Sequence, residues 1–399
     1  MNLLSKSRRS NFLIDEIESI NPQCPYASKC GGCDMQHIKY EDQLKWKQYK
    51  VEEVLGKFGH IEEIVGMENP NNYRNKVHAT FQVRKRKVVS GMYEENTHKV
   101  VDINNCMIQN EKANEIIETI TRLLNNSRIE IYNEDTGEGL FRHVLIRTGH
   151  KSGQVMVVLV VASNYFPSRN KFVKALIKKH PEISTVVQNI NNRKTSFVLG
   201  YEERNLRGSG FIVDTLCKKK FRISSRSFYQ INSIQTEKLY NKVIEYANLR
   251  GDEVLLDAYC GIGTIGIIAS DFVSNVIGVE LNGDAVKDAI ANSRLNKTDN
   301  VRIYKADASE FMRALSIEEQ KIDVLVLDPP REGSTKEFLE STKMLAPSKI
   351  IYVSCNPETQ ARDIELLKDE YEVVKIQPVD MFPFTSHVET VVLMSRVDK

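Results

Sequence analysis

The chain has 399 residues, enough for two or three domains, with 41% hydrophobic residues, 55 basic and 53 acidic side chains and a net charge of +2. Its longest apolar run, Val155 to Ala162, is far too short to span a bilayer, and the opening MNLLSKSRRSN lacks the apolar core of a signal peptide, so a cytoplasmic protein is expected. Seven cysteines in that setting point to metal or catalytic use and away from disulfides, while the near-neutral charge leaves nucleic-acid binding to local basic clusters.

Residues 1–20 read as a tail with room for a short helix. A cysteine-rich segment follows, Cys24-Pro-Tyr-Ala-Ser-Lys-Cys30-Gly-Gly-Cys33. Helical spacing covers 40–58, with Leu44, Val51, Val54 and Leu55 roughly on one face. Strand patterns run from Tyr73 to Val101, with Arg84, Lys85, Arg86 and Lys87 at a hairpin. A helix is predicted over 109–125, strands over 141–147, 154–161 and 185–191, a helix near 168–180, and further strand-like turns to Phe221. The character changes near 225. A helix over 233–248 leads to a buried strand over 253–258, and strand and helix signals then alternate. Strands fall near 276–280, 301–304, 322–327, 349–354, 372–377 and 389–395, and helices near 264–270, 283–296, 308–315, 335–345 and 358–368. That alternation predicts a doubly wound α/β sheet, with the last two strands as an antiparallel edge. The domains are expected to be a tail 1–20, a central α+β unit 21–224 and a C-terminal unit 225–399.

Between the first C-terminal strand and its helix stands Asp257-Ala-Tyr259-Cys260-Gly261-Ile-Gly263-Thr264-Ile-Gly266, a G-x-G-x-x-G loop. Glycines there let the backbone turn tightly and approach a ligand closely. Glu280, 19 residues after Gly261, is placed to bind ribose hydroxyls. The loop fits both NAD and S-adenosylmethionine, and a bare tight turn would use the same glycines. Val324-Leu-Val-Leu-Asp328-Pro-Pro330 favours the second cofactor, because a rigid acid-Pro-Pro turn at the sheet edge resembles nucleic-acid methyltransferases. Val353-Ser-Cys355-Asn-Pro357 puts a lone thiol at the same edge. Cys24, Cys30, Cys33 and Cys106 are spaced C-x5-C-x2-C-x72-C, which suits zinc or an iron–sulfur cluster without separating them. Cys217 and Cys260 read as ordinary small residues.

Together with Ser227-Phe-Tyr-Gln230-Ile-Asn232, Asp328-Pro-Pro-Arg331 and His387-Val-Glu389-Thr, these motifs resemble the RNA uracil-5-methyltransferase family, over about Cys24 to Val392. The resemblance implies a C-terminal Rossmann-like methyltransferase sheet preceded by a smaller α+β domain carrying an iron–sulfur cluster. It implies that Cys24, Cys30, Cys33 and Cys106 hold a [4Fe-4S] cluster. It implies S-adenosylmethionine contacts from Gln230, Tyr259, Gly261, Glu280 and Asp328, with Thr264 and Asp307 as weaker candidates. Cys355 would be the nucleophile and Glu389 the base, with His387 its competitor. Only 23 residues precede Cys24, so the N-terminal RNA-binding TRAM barrel of many rRNA-specific members is expected to be absent. The cysteine segment is closest to the 23S rRNA branch, so 23S rRNA is the expected substrate and the tRNA T-loop the alternative. A monomer is expected, with no membrane partner. Arg74, Lys76, Arg84, Arg86, Lys87, Arg142 and Arg147 form the candidate phosphate-binding group. Two readings of other classes are a non-catalytic cluster-containing RNA-binding protein, opposed by Cys355 and Glu389, and an NAD oxidoreductase, opposed by Asp328-Pro-Pro.

Overall fold

Two seven-stranded sheets organise the molecule. The computed structural model describes residues 18–195 and 197–397, so most of the expected tail, with its short helix, lies outside the described residues. Among the described residues helix α1 (Tyr40–Leu55) comes first. The central sheet is built from β1 (Lys76–Arg84), β2 (Lys87–Tyr93), β3 (Val100–Asp102), β4 (Phe141–Thr148), β5 (Val155–Val161), β6 (Ile183–Ile190) and β7 (Glu202–Arg207), in the order β3-β2-β1-β4-β5-β6-β7. Its helices are α2 (Glu111–Asn125) and α3 (Arg169–Lys179). Lys85 and Arg86 both take positive φ, 49° and 64°, which closes the tight β1–β2 hairpin at the basic run.

Strand β5 shows why this sheet must be covered on both sides. All seven of its residues are buried, and side chains alternate across a strand. Val155, Val157, Leu159 and Val161 face α2 and α3 in one core. Met156, Val158 and Val160 enter a second core shared with the C-terminal sheet. The hairpin of β8 (Phe211–Leu216) and β9 (Lys219–Ser224) and the helix α4 (Ser233–Ala247) supply Ile212, Phe221, Leu239 and Val243 to that shared core. Burying each such side chain is worth about 1.5–3 kcal/mol.

The C-terminal sheet contains β10 (Val254–Ala258), β11 (Asn275–Glu280), β12 (Val301–Lys305), β13 (Val324–Leu327), β14 (Lys349–Ser354), β15 (Tyr371–Val379) and β16 (Glu389–Arg396), ordered β12-β11-β10-β13-β14-β16-β15. The first five are parallel, and β16 runs antiparallel to both its neighbours. The flanking helices are α5 (Thr264–Ala269), α6 (Gly283–Asn296), α7 (Ala308–Ile317), α8 (Lys336–Leu345) and α9 (Pro357–Leu367). The order reverses beside β10, which opens a crevice at the carboxyl edge where such sheets bind ligands. The last two strands form the expected antiparallel edge pair, with the final strand on its inner side. It inserts between β14 and β15, and its residues 389–394 are buried.

Helix α1 precedes the central sheet in sequence yet packs on the C-terminal one. Val51 and Leu55 join its core, and Ile61 and Val65 pair with Ile376 and Val379. The buried stripe of α1 is Gln43, Lys47, Val51 and Leu55, two of them polar. No helix among the described residues is long and apolar enough to cross a membrane.

Candidate active site

The cofactor loop leaves β10 through Tyr259, whose φ of 63° is unusual for a side-chain-bearing residue, then Gly261 at 56° and Gly263 at 80°. A Cβ on Gly261 would meet nothing within 4 Å, so the backbone there borders open space. A Cβ on Gly266 would stand 2.9 Å from Val276 Cγ1 and 3.0 Å from Asp257 Oδ2, so this glycine serves close helix–strand packing. Glu280 is fixed at the end of β11, because its carboxylate accepts from the Gly261 amide at 3.0 Å and the Asn282 amide at 2.7 Å. Thr264 begins α5 and lies 3.3 Å from the Tyr240 hydroxyl. Gln230 is buried, with its carbonyl held by Asn75 Nδ2 at 2.9 Å. Asp307 caps α7, accepting from the Ser309 and Glu310 amides at 2.9 and 3.1 Å. Tyr240, on α4, was not singled out by the sequence. It is buried beside Asp328 and Asp257, whose charges add to the effect of burial and push its hydroxyl pKa well up.

At the neighbouring strand ends the thiol and its partners converge. Cys355 follows β14, and Ser354 pairs with Thr390, which brings Glu389 alongside. Asn356 Nδ2 and Thr359 Oγ1 both donate to the Arg331 carbonyl, at 3.0 and 3.1 Å, tying the Asp328-Pro-Pro-Arg331 turn to the cysteine loop. Asn356 also caps α9, with Pro357 in its first turn. Burial, then the charges of Glu389 and Asp328, push the Cys355 thiol up to about 11, while Arg331 opposes them. Burial also raises the Asp328 carboxyl. Glu389 is pushed well up by burial and by Asp328, and its Oε2 is buried without a hydrogen-bond partner. His387 is engaged by the site's own guanidinium: Arg331 Nη2 lies 3.0 Å from its Nε2, and burial with that guanidinium lowers its pKa. The free carboxylate oxygen beside the thiol therefore belongs to Glu389.

The family model described as tRNA (Uracil-5-)-methyltransferase matches residues 39–397. The chain belongs to this family. It is an S-adenosylmethionine-dependent RNA uracil-5-methyltransferase. Among its relatives, a protein of Clostridium tetani named as an uncharacterised RNA methyltransferase is 41% identical over 390 residues, 96% of this chain and 85% of its own. One of the same name from Staphylococcus aureus is 38% identical over 401 residues, 97% of this chain and 88% of its own. The crystal structure of the Pyrococcus abyssi tRNA (uracil-54, C5)-methyltransferase in complex with S-adenosyl-L-homocysteine is 30% identical, with a TM-score of 0.78, covering 92% of this chain and 86% of that one.

In this methyltransferase Cys24, Cys30, Cys33 and Cys106 line one partly open cavity, with Arg74, Lys76 and His78 on its wall. Burial raises the thiols of Cys30, Cys33 and Cys106, that of Cys33 to about 12. Among the described residues no group of three or more His, Cys, Asp or Glu is gathered closely enough to hold a single metal ion. What the four thiols have in common is the wall of this cavity.

The candidate phosphate-binding arginines divide. Arg142 is fully buried, bidentate to Glu134 at 2.7 Å and stacked 4.4 Å from the Tyr132 ring centroid, so it is a structural residue. Arg147 is fully buried and donates to the Ser225 and Ser227 carbonyls, so it too is withdrawn from any phosphate. Arg84, Arg86 and Lys87 remain on the hairpin, and Arg74 and Lys76 line the cysteine cavity. Both lie in β4, every residue of which is buried, and their local sequence carries no signal of it.

Proposed function

We propose that the protein methylates C5 of a specific uridine in structured RNA, with Cys355 as nucleophile and Glu389 as base. The observation that carries this reading is the juxtaposition of a thiol with a buried, unpartnered carboxylate at the mouth of the cofactor crevice. C5 of uracil is too weak a nucleophile to attack a sulfonium methyl unaided. Addition of the Cys355 thiolate to C6 breaks the C5–C6 double bond and makes C5 nucleophilic. C5 then takes the methyl group, leaving S-adenosylhomocysteine. Glu389 removes the remaining C5 proton, the double bond re-forms, and the thiolate leaves. A carboxyl with a raised pKa suits a base working near neutral pH. Gln230, Tyr259, Gly261, Thr264, Glu280, Asp307 and Asp328 form the cofactor site in this reading. The uracil must leave its stack to reach the thiol, so the target lies in a loop or is flipped out.

Cys24, Cys30, Cys33 and Cys106 would hold a [4Fe-4S] cluster, which supplies a covalent cross-link between the 24–33 segment and Cys106. The cationic wall of Arg74 and Lys76 supports an anionic occupant of that cavity. The resemblance of the cysteine segment favours 23S rRNA as the substrate. A second reading, the tRNA T-loop, is favoured by the family model and by the description of the Pyrococcus abyssi enzyme. A cytoplasmic location fits either RNA. Mapping 5-methyluridine in rRNA and tRNA from a strain lacking the gene decides between them. Loss of one modified position in 23S rRNA is expected; loss from tRNA alone would assign the T-loop, and no loss anywhere would overturn the function.

A further inference from the structure

Isolated aromatic residues on a protein surface need no explanation. Tyr201 is not isolated. It lies just before the edge strand β7, is 70% exposed, and carries the Arg193 guanidinium 4.3 Å and the Arg226 guanidinium 5.4 Å from its ring centroid. Arg226 Nη1 also donates to the Tyr201 carbonyl at 3.4 Å, fixing the pair. With both cations in place most of the ring stays open to solvent. Phe197, on the preceding loop, is 72% exposed.

The charge around this ring is unbalanced. Arg193 and Lys194 have no carboxylate partner among the described residues. Glu203 is exposed but its carboxylate is engaged, accepting from Ser225 Oγ at 2.7 Å and Asn189 Nδ2 at 3.0 Å. Among the described residues only Arg226 of the three cations here has an acidic partner, Asp284 at 3.4 Å, and Glu202 is the exposed acid nearby in sequence that has no partner. The patch is also joined to the catalytic centre. Arg226 stands four residues before Gln230, a span of at most about 14 Å, and Asn232 Nδ2 donates at 3.0 Å to the carbonyl of Met381, in the loop that leads to Glu389.

We infer that Tyr201, with Arg193 and Arg226, is a stacking platform for an unpaired base of the RNA substrate, a few nucleotides from the target uridine. Proteins read single-stranded RNA by stacking bases on aromatic rings and guanidinium planes, with nearby free cations taking the phosphates. An exposed ring flanked by two guanidinium groups, on an enzyme that acts on RNA, has those parts. The inference rests on the RNA reading of the active site and adds where the flanking strand is held.

The test uses the full-length protein and a loop RNA containing the target uridine, with affinity measured by fluorescence anisotropy at fixed salt. Tyr201→Ala should raise the RNA Kd by about 5- to 150-fold, the range of one lost base stack. S-adenosylmethionine affinity and kcat at saturating RNA should stay within twofold. Tyr201→Trp should restore RNA affinity, because the ring and not the hydroxyl is used. Arg193→Gln should flatten the salt dependence of binding. An RNA affinity within twofold of wild type for Tyr201→Ala overturns the platform, as does equal weakening by Tyr201→Ala and Tyr201→Trp. Methyl transfer by the wild-type protein is followed alongside, so failure of the functional reading shows in the wild type and failure of the platform only in the variants.

Discussion

Cys355 sits in a field that opposes its own ionisation. Burial and two neighbouring carboxylates hold its thiol near 11, and Arg331 is the group that counters them. Arg331 also lowers the Glu389 carboxyl. Both groups work as anions, so the rate should rise as pH rises through their pKa values. Replacing the guanidinium raises both values and moves that limb upward. Arg331→Gln should therefore shift the acidic limb of the kcat/KM profile to higher pH, and an unshifted limb would assign the ionisation of the thiol to another group. Cys355→Ala should abolish methyl transfer while leaving S-adenosylmethionine binding nearly intact, since the thiol acts on the base; more than about a tenth of wild-type activity would place the nucleophile elsewhere. Glu389→Gln separates the steps. Thiol addition and methyl transfer need no carboxylate, but elimination does. The variant should accumulate a methylated RNA–protein adduct stable on denaturing gels, absent when Cys355→Ala is added. Normal turnover by Glu389→Gln would pass the role of base to His387.

The loop between β15 and β16 owes its shape to a buried ion pair. Lys47 Nζ and Asp380 Oδ1 are 2.7 Å apart with both side chains fully buried. Lys47 also donates to the Phe382 carbonyl at 3.1 Å, and Asp380 accepts from the Tyr40 hydroxyl at 2.8 Å. Gln43 Oε1 accepts from the Phe384 amide at 2.9 Å, and Asp34 holds the Ser386 amide at 2.9 Å. Helix α1 and the cysteine segment thus clamp the loop that carries His387 and precedes Glu389. Removing one member of a buried pair leaves an uncompensated charge and typically costs about 3–5 kcal/mol. Lys47→Met should lower the unfolding free energy by that amount in denaturant titrations. Adding Asp380→Asn should recover part of it, because the amide is neutral and still accepts from Tyr40. A double variant no more stable than Lys47→Met would mean that packing, and not the pair, is what Lys47 supplies.

At the scale of the whole molecule the cysteine cavity and the methyl-transfer site are distinct places joined by this clamp. Protein purified without oxygen should be brown, with about four iron and four sulfide per chain. Colourless protein with stoichiometric zinc and no sulfide would overturn the cluster. Cys33→Ser should lose the cluster and weaken folding or RNA binding, while the S-adenosylmethionine affinity of the folded fraction changes little. A matching fall in cofactor affinity would make the cluster part of the cofactor site.

The local pattern of this sequence determined its elements. Strands such as Val324–Leu327 and Lys349–Ser354 are short buried apolar runs ended by Pro or Asn, and helices such as α6 and α9 begin at Asn282 and Asn356, side chains that cap the first amides. Those signals act within a few residues, so they can be read along the chain. The crevice motifs are legible for the same reason, since the glycine turn and the Asp328-Pro-Pro turn are local shapes. Only the tertiary structure decided the rest. The insertion of β16 between β14 and β15, the seating of α1 on the C-terminal sheet, and the burial of Lys47 and Arg147 all depend on partners far away in the chain, 333 residues away for Lys47 and Asp380 and 78 and 80 for Arg147 with Ser225 and Ser227. A charged side chain in sequence reads as solvent-exposed, because its cost of burial is cancelled only by a distant partner that local pattern does not reveal. Cys355 and Glu389 lie 34 positions apart in the chain, and the pairing of Ser354 with Thr390 makes them one site.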